Sequence, residues 1–156
     1  MKKTFFVLLL SSLTFSIFAQ EGREKPFSVG IGPEWNMDSR HNFAIGGVLG
    51  FTYNLPRNFA LGIDISGSSN FSGTHVLEPD FIFRYYLMNR AYNGLFLQTD
   101  IGAFFMYEED ELTFLPEFGF RGGYRWLLGS SFFIEPYGCL GYPFAFGIGL
   151  MAGIRF

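Results

Sequence analysis

The sequence predicts an all-β fold: an eight-stranded antiparallel up-and-down transmembrane β-barrel. Three observations lead there. Of the 156 residues, 21% are aromatic, with 22 Phe and 20 Gly, against 16% charged, and one soluble core of this size cannot enclose so many rings. After residue 19, no stretch approaches the ~18 consecutive apolar residues that a membrane helix requires. Instead, segments of ~10 residues alternate large apolar side chains with small or polar ones, the two-residue period of a strand with unlike faces. An exported, apolar chain without spanning helices can satisfy its backbone in lipid only as a closed barrel.

Export is read from the first residues. Lys2 and Lys3 form a basic start, Phe5 to Leu10 opens an apolar run, and "SIFAQ" places the small Ala19 before a cleavage point. This is the pattern of a cleaved signal peptide over residues 1–19. Residues 20–26 then form a short periplasmic leader, and residues 27–156 the barrel. Gln20, not a cysteine, stands immediately after the cleavage point, so a lipoprotein anchor is not expected. Cys139 is the single cysteine; it excludes an intramolecular disulfide and is expected to be a small buried apolar residue. The formal charge is −3, and loss of Lys2 and Lys3 with the signal peptide makes the remainder more acidic. A basic stripe for nucleic acid is absent.

The first strand runs from about Phe27 to Trp35, with Phe27, Val29 and Ile31 on one face. The second, about Phe43 to Tyr53, aligns Phe43, Ile45, Leu49, Phe51 and Tyr53 against Ala44, Gly46, Val48 and Gly50. "NLPRN" is a turn, where Pro56 has no ladder proton to donate. In the third, Phe59 to Ser66, Leu61, Ile63 and Ile65 oppose Ala60, Gly62 and Asp64. The fourth, Val76 to Leu87, sets Leu77, Phe81, Phe83 and Tyr85 against Glu78, Asp80, Arg84 and Tyr86. The fifth, Leu95 to Phe105, sets Leu95, Leu97 and Ile101 against Gln98, Asp100 and Gly102. The sixth, Phe114 to Trp126, sets Phe118, Phe120 and Tyr124 against Glu117, Gly119, Arg121 and Arg125. The seventh, Phe132 to Leu140, is interrupted by Pro136 and turns Glu135, Tyr137 and Cys139 away from Ile134 and Leu140. The eighth, from Phe144, ends "GIGLMAGIRF", with Ile148, Leu150, Ala152, Ile154 and Phe156 on one face and Arg155 on the other.

Direction follows from the small face. It is rich in Gly and Ala and nearly devoid of lysine, which suits the narrow lumen of an eight-stranded barrel rather than a soluble surface. The bulky face then meets lipid. The lumen receives Asp64, Glu78, Asp80, Arg84, Gln98, Asp100, Glu117, Arg121, Arg125, Glu135 and Arg155. Isolated charges there are costly, so they are expected to pair. Glu117 and Arg121, four apart on one strand, are expected to be bridged by Asp100 or Glu135. A packed polar plug is favoured over a gated ion path.

Aromatic residues collect at strand ends in two girdles, as membrane interfaces favour. Tyr53, Tyr85, Tyr92, Tyr124, Trp126 and Phe156 mark the periplasmic side, where both termini of an even barrel lie. Trp35, Tyr107, Tyr142 and Phe144 mark the other. The surface loops are then about Asn36–Asn42, Gly67–Thr74, Glu108–Glu111 and Gly141–Pro143. His41 with Ser39 and Asp38, or His75 with Ser72 and Glu78, are the only conceivable catalytic groupings, and solvated loop histidines are the favoured reading. The acids Glu108–Glu111 are read as a solvated hairpin tip rather than a cation site. No catalytic residue, metal or cofactor is expected.

With Ile154 and the terminal Phe156, "GIRF" resembles the C-terminal signal of outer-membrane barrels, which implies recognition by the barrel-assembly machinery. The whole chain after the leader is similar in architecture to the small eight-stranded proteins of the OmpA transmembrane domain, OmpX and OmpW type. The two-faced alternation and the leader predict an outer-membrane protein of a Gram-negative-type envelope, expected to be monomeric and embedded in outer-membrane lipid; the peptidoglycan-binding domain of full OmpA proteins is not expected. With the catalytic groupings set aside, the expected role is non-enzymatic: structural or surface-interacting through short loops. The alternative is an OmpW-like conduit for small hydrophobic molecules, and a lipid A-modifying barrel enzyme is the least favoured reading.

Overall fold

A computed structural model of the chain describes residues 25–38, 43–55, 57–70, 72–87, 92–108 and 111–156. The expected signal peptide and most of the leader lie outside the described residues, as do His41 and Ser39. Eight strands follow in chain order: β1 (Phe27–Asp38), β2 (Phe43–Asn54), β3 (Phe59–Ser69), β4 (His75–Tyr86), β5 (Gly94–Glu108), β6 (Glu111–Leu128), β7 (Phe132–Tyr142) and β8 (Phe144–Arg155). Each pairs with its sequence neighbour, and β1 pairs antiparallel with β8, which closes the barrel. At the seam, Phe27 and Phe156 exchange backbone N–H···O bonds of 3.1 and 3.0 Å. No sheet edge is left among the described strands, which removes the main obstacle to placing backbone in lipid.

Every expected strand is present, and several run further than expected. Glu108 and Glu111 pair directly, and Asn36, Ser69 and Tyr142 lie on strands rather than in loops. The backbone continues its ladder there because the side chains keep alternating. Along β2 and β4 the burial alternates residue by residue. Exposed Ile31, Phe43, Leu49, Phe81, Leu97, Phe120 and Ile154 stand on the outside, while Glu34, Asp64, Arg84, Gln98, Arg125 and Glu135 are buried within. That is the inverse of a soluble barrel.

Outside, rings gather near the termini. Phe27 stacks on Phe51 and Phe156, Phe59 on Phe83, and Tyr124 lies 5.0 Å from Trp126. Tyr53, Tyr85 and Trp126 are exposed at this end; Trp35, Tyr107 and Tyr142 are exposed at the opposite mouth.

Two aromatic assignments are corrected. Tyr92 is buried, its hydroxyl donating to the Leu55 carbonyl at 2.7 Å, so it caps the barrel instead of joining a girdle. A register shift between Met37 and Asp38 opposite β8 accompanies an inward turn of Phe144, whose ring meets the buried Phe104 edge-on at 5.5 Å.

Glycine makes the lumen's packing possible at two places. Gly149 lies under the Tyr137 ring and Gly123 under the Phe96 ring, where any Cβ would occupy the space of the ring. Large lumen side chains thereby lie flat against a neighbouring strand.

Candidate functional site: the lumen

The lumen is divided along its axis into three zones. At the terminal end, Tyr86, Tyr92, Phe96 and Phe133 form a buried aromatic floor, with Leu127 packed against it. Arginines lie on these rings: Arg84 is 4.0 Å from the Phe96 centroid and Arg125 is 4.1 Å from that of Phe133. Such cation–π contacts strengthen where water is excluded. Arg155 lies 5.8 Å from the Tyr92 ring and donates to the Lys25 carbonyl.

The middle zone is a continuous hydrogen-bonded chain. Glu135, with 0% of its surface exposed, accepts hydrogen bonds at Oε2 from Arg84 at 3.0 Å and Arg125 Nε at 2.6 Å, and its Oε1 is ion-paired with Arg84 at 2.8 Å. Arg84 Nε donates to Gln98 Oε1 at 2.7 Å, and Gln98 Nε2 donates to Asp100 at 2.5 Å and Asp64 at 3.3 Å. Asp64 holds Arg121 at 2.8 Å. Arg121 also stands 3.8 Å from Asp100 and 3.9 Å from Glu34, and lies over the Tyr137 ring. Tyr137 in turn donates to Glu34 at 2.5 Å, as does Asn36 at 2.9 Å. At the other end of the chain, Arg125 donates to Ser28 at 3.3 Å. These bonds tie β4 to β7 and β3 to β6 across the barrel, not only neighbours along the sheet. The space bounded by Ser28, Asp64, Arg84, Arg125 and Phe133 leaves about 0 Å³ for a water-sized molecule.

The expected bridge between Glu117 and Arg121 is corrected. Arg121 is engaged by Asp64, with Asp100 and Glu34 further off, and Glu135 belongs to Arg84 and Arg125. The reason is axial position. Glu117 pairs in register with Gly102 beside Asp80, toward the open mouth, whereas Gln98 lies opposite Arg121 in the middle zone. Glu34 was not singled out in the sequence, although it shares the parity of Gly30 and Gly32, which face the lumen. Phe96, Phe104 and Phe133 were also missed as lumen residues; each shares the parity of an inward charge on its own strand.

The third zone is the mouth. Glu78, Asp80 and Glu117 collect here, and none is within 4.0 Å of an arginine or lysine among the described residues. Together with Glu34, Asp100 and Cys139 they line a cavity of about 40 Å³. Cys139 is free and only half-buried, its Sγ 4.0 Å from Asn36 Oδ1, so it faces polar groups rather than an apolar core. Above lies a larger cavity of about 580 Å³. The grouping of His75, Ser72 and Glu78 does not form, because His75 is exposed at the start of β4 while Glu78 points into the lumen. Of the Glu108–Glu111 run, Glu109 and Asp110 lie outside the described residues.

No protein-family model and no curated protein matches this sequence. Solved structures do match. Neisserial surface protein A aligns with a TM-score of 0.62 at 10% identity, over 83% of this chain and 96% of that one. The N-terminal β-barrel domain of Pseudomonas aeruginosa OprF aligns at 0.55 and 16% identity, over 83% and 97%. A de novo designed transmembrane β-barrel aligns at 0.51 and 17% identity, over 86% and 99%. At such identities the likeness is one of fold: a closed eight-stranded barrel of the kind that crosses membranes.

Proposed function

We propose that the chain is a non-enzymatic outer-membrane barrel whose lumen is blocked, acting as a structural element and through the short segments around its open mouth. The observation that carries this reading is the unbroken chain of buried polar contacts from Glu34 to Arg125, closed beneath by aromatic rings. A conducting pore needs a file of water along its axis. Here the middle of the lumen is filled by guanidinium, carboxylate and amide groups in contact with one another, and by rings packed on the arginines.

The exposed Phe, Leu and Ile of the outer face support insertion in lipid, since such an area is not tolerated on a soluble monomer. The two Neisseria and Pseudomonas barrels support the outer membrane as that lipid. In this setting the termini face the periplasm, β8 is delivered by the barrel-assembly machinery with Ile154 and Phe156 outward, and the barrel stands as a monomer. The conduit reading is weakened by the same floor, because a hydrophobic solute entering the mouth meets charge and then packed rings with no onward passage.

The test is electrical. Purified barrel in planar lipid bilayers is expected to give no stable openings, or rare small ones, over minutes of recording. Large, long-lived conductance in most insertions would overturn the blocked-lumen reading.

A further inference from the structure

We propose that the mouth opposite the termini is a binding site for a small cationic amphiphile, an alkyl chain carrying a primary ammonium. The proposal goes beyond the blocked-lumen reading and does not depend on it. Two adjoining cavities make the site, sharing Tyr142 and Phe144. The upper one, about 580 Å³, is lined by Val76, Phe104, Met106, Leu115 and Phe144 together with the polar Asn70, Ser72, Thr74 and Glu108, and offers the volume typical of small-molecule sites. The lower, about 40 Å³, has room for one group the size of water or ammonium.

The floor specifies the charge. The Glu78 carboxyl is hydrogen-bonded to Glu117 and Ser66, yet Glu78 Oε1, Asp80 Oδ1 and Glu117 Oε2 remain buried atoms without a hydrogen-bond partner, and the Glu78 and Asp80 residues are 4% and 5% exposed. A buried carboxylate oxygen without a donor is costly, so three in one cavity mark a place that lacks a donor group. The register explains why they converge. Asp80 and Glu117 flank Gly102 in one row across β4, β5 and β6, and Gly102 contributes no side chain between them.

Among the described residues, no three acidic, histidine or cysteine side chains are placed to enclose a metal ion. A primary ammonium suits the arrangement better. It carries three N–H donors on a rotatable group and can answer three acceptors that do not converge to metal-ligand distances. Val76, Phe104, Met106, Leu115 and Phe144 above give a short hydrocarbon tail on that ammonium an apolar surface to lie on, with the polar Asn70, Ser72, Thr74 and Glu108 at the same cavity.

The experiment uses the whole barrel in nanodiscs of zwitterionic lipid, with empty nanodiscs as the blank. Saturable binding of octylammonium, octanoate, octanol and methylammonium is compared by titration calorimetry. Octylammonium is expected to bind at least tenfold more tightly than each of the others. The double variant Glu78→Gln/Glu117→Gln is expected to weaken octylammonium binding at least tenfold while keeping the wild-type gel mobility of the folded barrel.

Equal binding of octylammonium, octanol and octanoate would overturn the proposal, because the acids would then play no part. Equal binding of methylammonium would overturn it too, because the apolar walls would then contribute nothing. These comparisons on the unaltered barrel stand even if the double variant fails to fold. A barrel that conducts ions yet binds octylammonium as expected would refute the blocked lumen and leave this site intact.

Discussion

Replacing Glu135 by leucine removes the one carboxylate that holds two buried arginines. Glu135 is fully buried, its Oε2 accepts hydrogen bonds from both Arg84 and Arg125, its Oε1 is ion-paired with Arg84 at 2.8 Å, and the Arg84 and Arg125 side chains are each 1% exposed. Breaking one buried pair by deleting a partner costs about 3–5 kcal/mol, mostly for the charge left behind. Two cations lose the same anion here, which places Glu135→Leu at or above the top of that range. The Phe96 and Phe133 rings and the bonds to Gln98 and Ser28 remain; cation–π contacts of about 1–2 kcal/mol each offset part of the loss. A net destabilisation of about 5 kcal/mol is therefore expected. The assay is urea unfolding in lipid vesicles, followed by tryptophan fluorescence. The triple variant Arg84→Met/Arg125→Met/Glu135→Leu, which removes all three charges, should recover most of the loss, since neutral packing of similar volume replaces buried pairs at little cost. A single-variant loss below about 1 kcal/mol, or a triple variant no better than the single one, would refute the argument that these charges depend on one another.

Arg121→Leu, which leaves Asp64, Asp100 and Glu34 without their shared cation, should cost about 3–5 kcal/mol in the same unfolding assay. Gly149→Val should drive the Tyr137 ring from its seat and cost about 1–3 kcal/mol, with loss measured by urea midpoint. The purified barrel should run on gels as a compact, faster band until boiled, because its closed ladder resists detergent; identical mobility with and without boiling would count against closure.

The strands were legible because each carries several large apolar residues at a two-residue spacing, and register cannot slip by one without inverting both faces. Gly and Ala opposite those residues made the lumen side recognisable. The lumen's actual packing was less legible. Phe96, Phe104 and Phe133 were not assigned to either face, yet parity with Gln98, Asp100 and Glu135 puts them inside, where glycines such as Gly123 leave room for a ring. Pairings were harder still. Arg84 and Glu135 are 51 residues apart on strands that are not neighbours, and their meeting depends on the stagger of the closed barrel. No local pattern encodes that stagger. The division into a basic, aromatic half and an acidic mouth emerges only once the strands are in register.

In a membrane-spanning barrel of this kind the aromatic outer face meets lipid. Trp35 and Trp126 are the only tryptophans, both exposed on the outside at opposite ends of the barrel. The most direct measurement is quenching of their fluorescence by brominated lipids, with Trp35→Phe and Trp126→Phe separating the two signals. Both tryptophans are expected to be quenched strongly by bromine near the headgroup end of the acyl chain and weakly by bromine at its far end, as interface residues should be. Fluorescence untouched by bromine at either depth would mean that these rings do not face lipid, and would contradict the account.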